Sequence, residues 1–174
     1  LRSWQKTRII PLICDHDTLA GSLKVMRAIH AEDPDVPVLL AEEVTTREGE
    51  IIGLCLTEEN PGGLSAAETL DLIHGQGGLS LLPHPFSLYR SRTLRSGARN
   101  ALVDKLDLVE GHNARNLSGE EDRLAVLFAM EMSIPFTAGS DAHTTLELGR
   151  VWMEVPPFGS PGELLKGLAG APYT

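Results

Sequence analysis

Apolar and polar blocks alternate along this chain and predict strands and helices in turn. Short apolar runs bounded by polar or glycine-rich segments are typical of strands. The predicted strands cover residues 8–13, 37–45, 50–56, 79–82, 106–109, 134–138 and 151–155. Between several of these runs, apolar residues recur at helical spacing. Strands that alternate with helices indicate a mainly parallel α/β arrangement, in which the run over 8–13 forms a buried strand.

Serine residues mark the starts of three predicted helices. Ser65, Ser118 and Ser160 are each followed three residues later by glutamate, which is the pattern of a capping box. Pro161 adds a residue that is favoured at the first helical position. A further helix is predicted over residues 18–30. These helices separate most of the predicted strands, as the α/β interpretation requires.

The composition indicates an acidic globular protein. The 174 residues carry a formal net charge of −9, whereas proteins that coat nucleic acid are usually basic. No apolar run approaches the roughly 20 residues that cross a bilayer. Cys14 and Cys55 are typical of free thiols in a reducing compartment. We therefore predict a single cytoplasmic domain over residues 1–174, with neither a membrane nor a long nucleic acid as partner.

Arginines are concentrated in a polar segment over residues 87–100. Arg90, Arg92, Arg95 and Arg99 occur there without an acidic residue before Asp104. Two interpretations remain open for this segment. It is either a solvated face or a segment that attracts phosphate groups through guanidinium hydrogen bonds.

Residue types that bind metals follow several of the predicted strands. The groups in question are His16 with its neighbours Asp15 and Asp17, the pair Glu42 and Glu43, His84 between two prolines, and Asp141 with His143. An α/β barrel or parallel sheet brings the ends of its strands to one face, where active sites of such barrels lie. The sequence therefore predicts a metal-dependent hydrolase.

Local geometry refines these candidates. In an extended segment Asp141 and His143 point to the same side and can share a metal ion. His84 is predicted to be rigid and extended because prolines flank it. Only one of Glu42 and Glu43 can face inward, since adjacent strand residues face opposite sides. The sequence alone does not choose between these two.

The segment after the strand over 106–109 offers a further candidate. Glu110 and His112 alternate as Asp141 and His143 do, so one of the two can line the site. His112 is retained as a candidate metal ligand, with a polar rim residue as the alternative. No GxSxG, Walker A, GxGxxG or CxxC pattern occurs, which disfavours the chemistries that depend on them.

Taken in order, the motifs resemble those of the polymerase and histidinol phosphatase (PHP) family. They are Asp-His-Asp at 15–17, Ala-Glu-Glu-Val-Thr-Thr at 41–46, Pro-His-Pro at 83–85, Glu-Gly-His-Asn-Ala-Arg at 110–115 and Ser-Asp-Ala-His at 140–143. The resemblance implies a distorted (β/α)7 barrel with one to three divalent metal ions, for which Mn²⁺, Zn²⁺ and Fe²⁺ suit the ligand types. By the same resemblance, His16, Glu43, His84, Asp141 and His143 are metal ligands, and all of these except His84 are expected to be catalytic.

Two departures from the family pattern stand out. The family begins with an Asp-x-His-x-His motif, which this sequence does not contain. Either the motif precedes Leu1 in a longer sequence, or this protein lacks it. Many members also carry a histidine on the strand after the bridging glutamate, and residues 50–53 contain none. His112 is a candidate to compensate for that histidine.

The leading functional interpretation is hydrolysis of a small phosphorylated metabolite or nucleotide by a metal-activated hydroxide. Arg115 is the first candidate for binding the anionic substrate, and Arg90 and Arg92 are the others. Two alternatives stay open, because a fold does not fix a substrate. One is a non-catalytic metal-binding or regulatory module, and the other is a metal-dependent hydrolase of a carbon–nitrogen or carboxylic ester bond.

Overall fold

The structure is a computed structural model that describes residues 10–174. Six strands and five α-helices make up its regular structure. The strands are β1 (Leu12–His16), β2 (Leu39–Thr45), β3 (Glu50–Leu54), β4 (Leu79–Leu82), β5 (Leu108–Asn113) and β6 (Phe136–Gly139). The helices are α1 (Ala20–Glu32), α2 (Ala66–Gly75), α3 (Ser96–Ala101), α4 (Gly119–Met132) and α5 (Pro161–Leu168), with a short 3-10 helix over Val103–Lys105.

The strands form one mixed sheet in the order β1-β2-β3-β4-β5-β6. The pairs β1/β2, β4/β5 and β5/β6 are parallel, whereas β3 is antiparallel to both of its neighbours. Five strands therefore end at the edge of the sheet where β3 begins. The polar residues that follow those five strands meet the first residue of β3 at that edge.

Apolar side chains cover both faces of the sheet. Neighbouring residues of one strand, such as Ile51 and Ile52, belong to different core clusters because side chains alternate along a strand. One cluster includes Leu70 and Ile73 of α2, and the other includes Leu164 of α5. Each face is thus held by helices, and the edge that carries the polar residues is left open.

The helix starts agree with the sequence. The Ser65 side chain caps α2 in a complete capping box with Glu68, and Ser118 forms the same motif at α4. Ser160 caps α5 with proline at the first turn. The predicted α/β class and the predicted helices at these three serines are therefore confirmed.

Several boundaries differ from the prediction. The first strand is Leu12–His16 instead of 8–13, whose first two residues lie outside the described part of the chain. It is an edge strand with Leu12 40% exposed, so the prediction of a buried strand is wrong. The strand predicted over 151–155 is absent, and only an isolated bridge joins Met153 to Tyr173.

The complete (β/α)7 barrel is not confirmed. Within residues 10–174 the sheet has six strands, and β1 and β6 are its two open edges. One domain over 1–174 stays a prediction. Among the described helices, none combines the length and the apolar character needed to cross a membrane.

Candidate metal centre

An open cleft of about 560 Å³ lies at the edge of the sheet where the polar strand ends meet. Its walls come from residues spread between His16 and His143. They include His16, Glu43, Glu50, His84, Arg90, Arg92, Arg115, Asp141 and His143, with Ser87, Tyr89, Ser91, Asn116, Leu117 and Glu121. The structure therefore brings eight of the nine site residues predicted from the sequence to one cleft, and adds Glu50 to them.

An imidazole and two carboxylates form the centre of this cleft. His16 Nδ1 lies 3.3 Å from Glu50 Oε1 and 3.5 Å from Glu43 Oε2. One ligand atom from each of the three residues lies within 4.8 Å of the others, which is a spacing that one metal ion can bridge. His16 ends β1, Glu43 lies in β2 and Glu50 begins β3, so three adjacent strands supply the cluster.

His84 extends the cluster toward the interior. Its Nε2 lies 3.4 Å from Glu43 Oε1 and 4.0 Å from Glu50 Oε2, and the residue is 6% exposed. Its backbone has φ +28°, in the left-handed region, so the prediction of an extended histidine is wrong. Such a conformation costs on the order of 1–3 kcal/mol for a residue other than glycine. The surrounding contacts must hold His84 in place.

The chemistry of this cluster fits a divalent cation. Glu43 Oε1 is buried and has no hydrogen-bond donor among the described residues, which is costly for a carboxylate oxygen. Burial raises the pKa of Glu50, and the neighbouring Glu43 charge raises it further. A bound cation would relieve both penalties. Imidazole and carboxylate ligands suit Mn²⁺, Fe²⁺ or Zn²⁺.

Glu42 is the neighbour of Glu43 and faces away from the cleft. Its Oε1 accepts hydrogen bonds from Asn60 N at 2.6 Å and from Asn60 Nδ2 at 2.7 Å. It is fully buried, and burial raises its pKa. The structure thus chooses between the two glutamates that the sequence left open, since only Glu43 lines the cleft.

Asp141 and His143 follow β6 on the other side of the cleft. Asp141 has φ +46°, so this segment is not the extended one expected from the sequence. Its Oδ2 contacts Arg90 Nη2 and accepts a hydrogen bond from Asn113 Nδ2 at 3.1 Å. His143 is exposed, and its Nδ1 contacts Arg115 Nη1. Both residues line the cleft without joining the cluster of His16, Glu43 and Glu50.

Three arginines of the cleft each lie near a carboxylate. Arg90 pairs with Asp141, Arg92 Nη1 lies 3.4 Å from Glu50 Oε1, and Arg115 Nε lies 3.9 Å from an oxygen of Glu147. Arg99 instead packs against two aromatic rings. The arginine-rich segment is therefore neither wholly solvated nor wholly directed at the cleft.

Arg99 packs beneath the segment that carries His84. Its guanidinium lies 4.3 Å from the Phe86 ring centroid and 5.3 Å from that of Phe128. Its Nη1 donates a hydrogen bond of 2.6 Å to the Pro85 carbonyl. Burial lowers its pKa. Arg99 thus supports the wall of the cleft from behind.

His112 is the one predicted ligand that the structure does not bring to the cleft. Its Nδ1 lies 2.6 Å from Asp122 Oδ2, and its ring stacks on Tyr173. The cause is a bulge in β5, where Glu110 pairs with Thr137 and His112 with the next residue of β6. A bulge re-aims the side chains that follow it. Here it puts Glu110 and Asn113 on one side of the strand and His112 on the other.

Glu50 is the residue that the sequence interpretation missed. It begins β3, the strand on which the family resemblance leads one to expect a histidine. The sequence contained a signal for it, because Glu50 is the only charged residue in the apolar run Glu-Ile-Ile-Gly-Leu. All five residues of this strand are buried in the structure. A carboxylate at the first position of an apolar strand requires a partner.

The comparisons with known proteins agree with this architecture. The model of the PHP-associated family (PHP_C) matches residues 119–170. An uncharacterized protein of Methanocaldococcus jannaschii is 37% identical over 172 residues, which cover 92% of this chain. The chain spans 66% of the length of that relative, less than two thirds of it.

Two solved structures share the fold. One is an inferred metal-dependent phosphoesterase of Bifidobacterium adolescentis, with a TM-score of 0.60 and 15% identity over 82% of this chain and 80% of that one. The other is a two-domain protein of Bacteroides vulgatus that contains an inferred PHP-like metal-dependent phosphoesterase, with a TM-score of 0.58 and 16% identity. That match covers 78% of this chain and 43% of the other. The match to the PHP-associated model and the likeness of the fold together support a PHP domain family for this chain.

Proposed function

We propose that this protein is a metal-dependent phosphoesterase that hydrolyses a small phosphorylated metabolite or nucleotide. One observation carries the proposal. Imidazole, carboxylate and guanidinium groups all line one cleft, so metal-binding and anion-binding groups face a common space. The proposal includes a distorted (β/α)7 barrel for the whole protein.

In this proposal the chain holds one to three cations, of manganese, zinc or iron. His16, Glu43, Glu50 and His84 are the first ligands, because their donor atoms converge. Asp141 and His143 complete the set from the far side of the cleft. When bound, such cations lower the pKa of a coordinated water and neutralise charge on phosphoryl oxygens. The protein itself orients the ligands and the substrate.

The arginines bind the anionic substrate in this proposal. A guanidinium presents forked N–H donors that match phosphate oxygens. Arg115 is half-exposed at the rim, and Arg90 and Arg92 lie along the same wall. In a chain with a net charge of −9, these groups supply local attraction for a small anion. They form no long basic surface of the kind that duplex nucleic acid requires.

Adjacent glutamates provide a matched test. Glu43→Gln removes a cleft carboxylate, whereas Glu42→Gln removes a buried carboxylate on the opposite face of the same strand. The protein is purified without chelator and assayed on p-nitrophenyl phosphate and p-nitrophenyl acetate, with Mn²⁺, Zn²⁺ or Fe²⁺ and with EDTA. We expect metal-dependent hydrolysis of the phosphate, reduced at least about 100-fold in Glu43→Gln and retained in Glu42→Gln.

The other outcomes identify the alternatives. Hydrolysis of the acetate alone would indicate a hydrolase of non-phosphate bonds. Metal uptake with no hydrolysis of either ester would indicate a non-catalytic metal-binding module. Equal activity of Glu43→Gln and the parent would refute the assignment of the cluster.

A further inference from the structure

We propose that Glu110 and Asn113 are positioning residues that hold the His84 backbone and the Asp141 carboxylate in place for metal binding. The inference rests on the proposed function, since it concerns how that function's metal ligands are fixed. Both residues are buried in β5, Glu110 at 8% and Asn113 at 2% exposure. Neither belongs to the cluster of His16, Glu43 and Glu50.

The Pro-His-Pro segment has one backbone donor, the N–H of His84. Pro83 and Pro85 have no N–H, so the His84 N–H is the only backbone donor across these three residues. It donates to Glu110 Oε2 at 2.8 Å. Because His84 has φ +28°, this bond fixes a conformation that the chain would not otherwise prefer. Glu110 therefore sets the direction from which the imidazole enters the cleft.

Asn113 joins the two sides of the cleft. Its Nδ2 donates to Glu110 Oε2 at 2.9 Å and to Asp141 Oδ2 at 3.1 Å. Its Oδ1 accepts from Arg115 N at 2.9 Å and from Arg90 Nη2 at 3.3 Å. Each polar atom of the amide is thus used twice. Asn113 is therefore hydrogen-bonded directly to Asp141, and it is linked to the His84 backbone through Glu110.

The bulge makes this arrangement possible. In a regular strand Glu110 and Asn113, three positions apart, would face opposite sides. The extra residue at Gly111 puts both side chains on the cleft side. Asparagine suits the position because an amide supplies donors to two carboxylates and an acceptor to basic groups at once. An aspartate at position 113 would place a third carboxylate beside those of Glu110 and Asp141, and the like charges would repel.

A second buried pair of the same composition provides the control. Glu42 of β2 and Asn60, in the loop that follows β3, are hydrogen-bonded to each other outside the cleft. The experiment titrates Mn²⁺ alone into the parent and variants, following free Mn²⁺ by electron paramagnetic resonance. We expect Asn113→Ala to weaken Mn²⁺ binding about 10- to 100-fold. Asn60→Ala, which also removes buried hydrogen bonds, should stay within about threefold of the parent.

Variants of Glu110 separate positioning from charge. Glu110→Gln keeps an oxygen that can accept from His84 N and Asn113 Nδ2, whereas Glu110→Leu keeps none. We expect Glu110→Leu to bind Mn²⁺ as weakly as Asn113→Ala, and Glu110→Gln to stay within about threefold of the parent. Parent-like binding by Asn113→Ala and Glu110→Leu would overturn the proposal. Equal losses in Glu110→Gln and Glu110→Leu would also overturn it, because the charge and not the hydrogen bonds would then matter.

A readout without metal keeps the two proposals distinguishable. Amide exchange of the His84 N–H, followed by NMR, should be about tenfold faster in Glu110→Leu than in the parent and unchanged in Glu110→Gln. If the parent takes up none of Mn²⁺, Zn²⁺ and Fe²⁺, the proposed function fails, and this exchange rate still decides the positioning role. Unchanged exchange in Glu110→Leu would overturn that role.

Discussion

Alanine at position 111 is expected to destabilise the protein because the bulge in β5 leaves no room for a side chain. A Cβ built on Gly111 lies 2.7 Å from Phe136 Cδ2 and 3.0 Å from Phe136 Cβ and Cγ. Carbon atoms pack at roughly 3.5–4.0 Å, so the atoms must separate by about 1 Å. Rotation of the ring cannot relieve the contact with Phe136 Cβ, which is fixed by the backbone of β6.

The loss of stability in Gly111→Ala depends on the contacts of Phe136 that the new methyl group displaces. Phe136 packs against the core cluster that contains Ile73 and Phe128, and its ring meets Tyr173 edge-on at 6.3 Å between centroids. Overpacking of this kind costs about 1–3 kcal/mol. For a protein of this size, we expect the Tm of Gly111→Ala to fall by roughly 2–12 °C.

The assay is urea and thermal unfolding of Gly111→Ala beside Gly97→Ala. Gly97 lies in α3 with no atom within 4 Å of a built Cβ, so alanine there should add about 0.5–1 kcal/mol of stability. In a Phe136→Ala background most of the clash is removed, and the cost of Gly111→Ala should shrink by about 1 kcal/mol. A Gly111→Ala protein as stable as the parent would refute the reasoning, as would an unchanged cost in that background.

Two further predictions concern the supports of the cleft wall. Arg99→Met should lower the free energy of unfolding in urea by about 1.5–3 kcal/mol, because the hydrogen bond of the guanidinium to Pro85 O is lost; an unchanged urea midpoint would contradict this. Backbone N–H groups, first that of Leu88, lower the pKa of Glu121 below its ordinary 4.5. A lowered pKa means that the stabilisation is complete above pH 4.5 and is lost as the pH falls through the folded-state value. Glu121→Gln should therefore be less stable at neutral pH and lose less stability on acidification, as measured by Tm against pH.

The features that depend on local sequence pattern could be predicted. Capping boxes and apolar runs predicted most elements, and strand ends predicted which residues meet. His112 shows where this reasoning stops. If side chains alternated regularly from Glu110, His112 would face the same side as Glu110. The extra residue at Gly111 reverses this alternation, so that Asn113 shares the side of Glu110 instead. At the bulge Gly111 lies close to Phe136, a contact between strands that no local pattern contains.

Glu50 illustrates a second limit. A parallel sheet brings together residues at the ends of strands, and Glu50 stands at a beginning. Only the antiparallel direction of β3 puts that beginning beside His16 and Glu43. The direction of a strand depends on which neighbours it pairs with, so the pattern of apolar residues along it carries no signal for this.

The hairpin of β2 and β3 brings together the two cleft residues that are close in sequence, whereas the histidines come from other strands. Glu43 and Glu50 are carried by strands joined through a short turn, so little loop-closure entropy is lost in bringing them together. A hairpin forms in microseconds, well before strands remote in sequence can pair. We expect the two carboxylates to become neighbours early in folding, when only the hairpin opposes their mutual repulsion. The imidazoles of His16 and His84 reach the carboxylates only when the remaining strands pair, and they lower the pKa of Glu50, which burial and the Glu43 charge still raise.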